Sequence, residues 1–130
     1  MKTSRVILIC AAVLGCAAVL LGAYGTHGLR PRLTPQGLAS FETGVRYQMH
    51  HAIALLAIAW LATQRKNIFP AITAALWSIG VLCFSGSIYL LILRPLLALH
   101  LPNWFPLLTP LGGAFLILGW IGLIVAAVRE

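Results

Sequence analysis

Apolar residues fill this chain in four long runs separated by short polar breaks. Residues 6–25 carry no charge, and the next cation is Arg30. A second uncharged stretch lies between Arg46 and Arg65 and reaches bilayer length, 41–63, if its helix begins near Phe41. Runs at 72–93 and 109–128 complete the set. About 20 helical residues cross the hydrocarbon of a bilayer. The pattern therefore predicts an all-α fold: an integral membrane bundle of four transmembrane helices, forming one domain over residues 1–130. Thr109 is placed to cap the last helix, with Pro110 at its first position. The preceding stretch "RPLLALHLPNWFP" is broken by Pro95, Pro102 and Pro106. It reads as an interfacial loop, with Trp104 suited to the headgroup zone.

Composition narrows the class. The chain is 61% hydrophobic and 8% charged, against roughly 25% charged residues in soluble domains. A soluble surface cannot be built from so few polar groups. The net charge of +7 comes from nine basic residues scattered between apolar runs, so no basic face for nucleic acid forms. Their expected work is to hold helix ends at the headgroups. Lys2, Arg5, Arg65, Lys66 and Arg129 fall on one side of the membrane, and Arg30, Arg32, Arg46 and Arg94 on the other. The "QRK" cluster favours both termini on the cytoplasmic side. Cys10, Cys16 and Cys83 all sit inside apolar runs and fit neither a disulfide framework nor a zinc site. The "VLGC" at 13–16 loosely resembles a lipoprotein processing site, but the residues after it, "AAVLLGAYG", are still apolar. An uncleaved first helix is expected.

Small residues suggest how the helices meet. Ala11, Gly15, Ala18, Gly22 and Gly25 make one stripe on the first helix, while Gly112, Gly119, Gly122 and Ala126 recur along the fourth. Such stripes let helix backbones approach closely in lipid. They serve packing inside the bundle or, alternatively, a homo-oligomer surface.

Polar residues are distributed lopsidedly. With four spans, His27, His50, His51 and His100 all fall on one side, together with Tyr24, Tyr47, Tyr89, Ser85, Ser87, Thr109 and Glu42. Glu42, Arg46 and His50 share one helix face, and Tyr47 and His51 form a second stripe beside it. An ionisable group at the depth of His51 faces protein or a cavity and warrants a functional hypothesis. The bland alternative is a neutral imidazole that fixes one helix against another.

Four motifs, in order, resemble one known family: "GAYGTHGL" (22–29), "YQMHHAIALL" (47–56), "FSGSIYLL" (84–91) and "TPLGGAFLILGW" (109–120). They resemble the YgdD / transmembrane protein 256 family of small inner-membrane proteins, grouped under a domain of unknown function. The residues that carry the match are Gly22, Gly25, His27 and Gly28; Tyr47, Gln48 and His51; Phe84, Ser85, Gly86, Ser87 and Tyr89; and Thr109, Pro110, Gly112, Gly113, Gly119 and Trp120. Tyr24 and Thr26 stand where that family usually has Phe and Ala. The resemblance implies a four-helix membrane architecture in the bacterial plasma membrane, and no established activity.

The functional expectation is a binding or accessory protein with a polar pocket in the outer half of the bundle. Its candidate lining is His27, Tyr47, Gln48, His51, Ser85, Ser87, Tyr89 and Thr109, holding a ligand, a lipid headgroup or a partner helix. His27, His51, Ser87 and Tyr89 are expected to share partners there, with Gly25, Gly28 and Gly86 leaving room. Gly15, Gly22, Gly112, Gly113 and Gly119 are assigned to helix packing. A second reading is a small dimeric transporter or proton-linked carrier using His51. A third is a haem b protein ligated by His27 and His51 across two helices. No cofactor or metal is predicted, and no catalytic constellation is recognisable.

Overall fold

A computed structural model describes residues 2–64 and 67–128. Arg65, Lys66 and Arg129, which enter the charge argument for orientation, lie outside the described residues. The described chain is helical almost throughout: α1 (Lys2–Tyr24), α2 (Pro35–Gln64), α3 (Phe69–Leu93) and α4 (Leu108–Val128). A π-helical turn, Gly25–Leu29, prolongs α1, and a 3-10 turn, Phe105–Leu107, leads into α4.

Three helical stretches are long and apolar enough to cross a membrane: Lys2–Leu29, Phe69–Leu93 and Phe105–Val128. The first, at 28 residues, is about 42 Å long. The 30-residue α2 has the length but not the apolarity, because Glu42, Arg46, Gln48, His50 and His51 interrupt its first two-thirds. Four long helices are present among the described residues, and three of them qualify as spans on length and composition.

Helix ends differ from expectation where capping outweighs hydropathy. α2 starts at Pro35 rather than near Phe41, because the Thr34 hydroxyl accepts the Gly37 N–H (3.1 Å) and Pro35 supplies a fixed first-turn φ. The expected cap at Thr109 does not form. α4 already begins at Leu108, and the Thr109 hydroxyl lies 2.6 Å from that of Ser87 instead.

The helices pack in chain order, α1 on α2, α2 on α3 and α3 on α4. Among the described residues α1 and α3 barely meet, and the α2 and α4 backbones stay apart. A core of Ile7, Ala11, Leu55, Ile58, Ala74, Trp77, Val81 and Leu116 draws on all four helices. A smaller cluster of Leu29, Phe41 and Tyr89 closes the other end. Outward-facing Val13, Leu82 and Ile124 are each more than 60% exposed, an apolar exterior suited to lipid rather than water.

Glycines set the helix spacing unevenly. A Cβ on Gly112 would run into the Phe84 backbone, and one on Gly119 into the Trp77 indole. Gly22 and Gly15 face Val45 and Ala52 at ordinary contact distance, as Gly113 faces Phe84. Gly25 leaves space for the Phe41 ring, while Gly28 accommodates Tyr24 of its own helix. Gly86 departs from expectation: a Cβ there would meet nothing within 4 Å, so no helix approaches at that point.

Candidate functional site: the interhelical polar bonds

The polar residues singled out from the sequence resolve into discrete bonds between helices. Gln48, buried on α2, joins three helices at once. Its Nε2 donates to the Leu14 carbonyl of α1 (2.8 Å), and its Oε1 accepts from the Tyr89 hydroxyl of α3 (2.9 Å). One α-helical turn earlier, the Gly44 carbonyl accepts the Ser85 hydroxyl (2.7 Å). Gly44 is needed there, because a Cβ would lie 2.8 Å from the Tyr89 ring. Tyr89 also packs on Phe41, with ring centroids 4.9 Å apart.

His51 is bonded at both ring nitrogens. Nδ1 lies 2.8 Å from the Tyr47 carbonyl, which can only accept, so Nδ1 carries the proton. Nε2 is then a bare lone pair, and it accepts the Trp120 indole N–H of α4 (3.2 Å). Both partners are matched by a single neutral tautomer. The Trp77 ring meets the His51 ring edge-on at 5.6 Å and lies 4.7 Å from Trp120. Trp77 itself is fully buried and donates to the Leu116 carbonyl (3.2 Å). His51 is thus a side-chain bridge from α2 to α4, where the backbones do not touch.

The remaining candidates divide. Ser87, bonded to Thr109, ties α3 to the start of α4. Tyr47 is 42% exposed and packs on Phe84 at 4.7 Å. His27 is exposed on the π-helical turn, and Glu42, Arg46 and His50 line the outer side of α2. The four residues expected to converge therefore have different surroundings: Tyr89 bonds Gln48, Ser87 bonds Thr109, His51 bonds Trp120, and His27 faces outward. Nothing in the sequence pattern points to Trp77, Gly44 or the Leu14 carbonyl as members of this set. Which residues of two helices face each other depends on helix rotation, which spacing along one helix does not reveal.

Among the described residues, six side-chain bonds join different helices. At the ~0.6 kcal/mol average measured for such bonds in a membrane protein, they contribute about 3–4 kcal/mol together. Lipid offers no hydrophobic drive between helices, so this is a substantial share of what holds them in register.

A small helical membrane protein with an apolar exterior and an interior fastened by polar side chains is the class these features define. The chain belongs to the DUF423 family (protein of unknown function), whose model matches residues 21–113. Similar proteins include a UPF0382 membrane protein of Haemophilus influenzae, 41% identical over 86% of this chain and 85% of its own. UPF0382 membrane protein YwdK of Bacillus subtilis is 38% identical over 96% and 98%. UPF0382 inner membrane protein YgdD of Escherichia coli is 35% identical over 98% and 92%. No solved structure matches.

Proposed function

We propose that the chain is a four-span plasma-membrane protein with both termini in the cytoplasm. In this reading it works as an accessory or binding component through its outer helix faces, not as a carrier. The observation behind it is the bonding of His51, the one histidine buried among the described residues: both of its ring nitrogens are engaged. A proton relay needs a free nitrogen, and haem ligation by His27 and His51 would require His51 to give up Trp120. The polar residues of α2 serve here as fasteners, which is how a helix of lower apolarity is carried inside the membrane. Lys2 and Arg5 at the start of α1 favour the cytoplasmic side.

The test is transport by the purified chain in vesicles containing a pH-sensitive dye. Under an imposed proton gradient, the expected leak equals that of empty vesicles, for the native chain and for His51→Phe alike. A flux that His51→Phe abolishes overturns the reading in favour of a proton-linked carrier. For orientation, a reporter active only in the periplasm, fused at the C-terminal end, is expected to be silent.

A further inference from the structure

The end of the bundle opposite the histidines is open. Because α1 and α3 barely meet there, a cleft of about 440 Å³ runs between them, walled by Val6, Ile7 and Cys10 of α1 and by Ala71 and Ala75 of α3. Its volume falls within the roughly 300–1,000 Å³ of small-molecule sites. Lys2 stands at its mouth, and its deepest α1 residue, Cys10, lies eight residues further on, about 12 Å down the helix. On the other side of α1 a second cleft of about 390 Å³, against α2, has Arg5 at the same level above Leu8 and Leu56.

Charge at this end is one-sided. Lys2 is exposed, α1 has no acid in its first turn, and the one acid among the described residues, Glu42, lies near the start of α2 at the far end. A greasy slot capped by an uncompensated ammonium is complementary to a molecule with an anionic head and an apolar tail. Small Ala71 and Ala75 leave the slot open where larger residues would fill it. The Lys2 stem can lie along the apolar wall while its ammonium reaches headgroup level.

We infer that the cleft between α1 and α3 holds one acyl chain of an anionic phospholipid, whose phosphate meets the Lys2 ammonium. The occupant is a single retained lipid, distinct from the exchanging lipid around the bundle. The inference goes beyond the accessory role proposed above and does not depend on the proton-flux result or on which way the bundle faces.

The test is native mass spectrometry of the full chain released from micelles containing equal phosphatidylglycerol and phosphatidylcholine of identical acyl chains. The expected result is one retained phosphatidylglycerol in preference to phosphatidylcholine. Lys2→Gln should lower that retention about five-fold, the ~1 kcal/mol of one basic side chain near an anionic surface. Ala75→Phe should fill the slot and abolish retention, whereas Val13→Phe, on an exposed face of α1, should leave it unchanged. Equal retention of the two lipids, or equal phosphatidylglycerol retention in native chain and Lys2→Gln, overturns the proposal. Unchanged retention in Ala75→Phe with native circular dichroism does the same.

Discussion

The two halves of this bundle are held together by different means. Around Gln48 the helices are joined by hydroxyl, amide and phenol groups that each find one partner on a neighbouring helix. Around Trp77 the contact is almost wholly apolar, a fully buried indole seated beside Gly119 and among Leu55, Ile58 and Val81. The first half gains direction from its bonds and the second gains area. The apolar half leaves clefts where helices diverge, because packing without bonds does not prescribe a single approach. In lipid, polar pairs specify register and small residues permit closeness, and this chain divides those tasks along its length.

The comparison can be broken most forcefully at Trp77. Trp77→Ala removes the largest fully buried side chain and is expected to destabilise the bundle by about 3–5 kcal/mol. Denaturant unfolding in detergent, followed by circular dichroism, measures it. A loss below ~1 kcal/mol would mean that the apolar half collapses to fill the space and contributes little.

A double-mutant cycle sharpens the polar side. Gln48→Leu, Tyr89→Phe and the pair together should give a coupling near 0.6 kcal/mol and no more than ~1.7, read from the same unfolding curves. Zero coupling would separate Tyr89 from Gln48 and leave the α2–α3 contact to Ser85 and the Phe41 ring.

The smallest effect belongs to Gly86. Open space around it predicts that Gly86→Ala is neutral within about 0.5 kcal/mol, or stabilising through better helix propensity. A large loss, measured by the same unfolding, would show that something does approach this face, with a second protein chain the first candidate.

How much is legible in the sequence depends on what decides each feature. The four helices are legible because long apolar runs admit little else in a chain of this composition. Helix ends are not, and the two Thr–Pro pairs show why. Thr109–Pro110 adjoins the apolar run and looks like a cap, yet it is Thr34–Pro35 that starts a helix. The pairs look alike in sequence. They differ because Thr109 has Ser87 within reach on another helix, a competitor that Thr34 lacks in its bond to Gly37. The candidate site is half legible. Gln48, His51, Ser85, Ser87 and Tyr89 can be recognised as interior polar residues, since each sits in an oily stretch where a polar atom needs a partner. Their pairing cannot, because it is set by the rotation of α2 and α4 about their own axes. Sequence spacing puts His51 near Tyr89, and it meets instead an indole from the helix most distant in the chain.

The π-helical turn at Gly25–Leu29 bears on how the length of the chain is tolerated. Its signature is the Arg30 N–H donating to the Gly25 carbonyl five residues back (3.1 Å), with the Thr26 hydroxyl bonded to the Gly22 carbonyl (3.1 Å). Such a turn is an α-helix carrying one surplus residue. Deleting a single residue between 26 and 28 would restore ordinary winding and swing everything beyond it by about 100°. Leu29, fully enclosed beside Phe41, would then rotate out of its seat. The short connection to α2 would have to start from the wrong side of the helix. The segment thus works like a washer in a threaded joint, and its removal tightens the thread while misaligning the parts it joined.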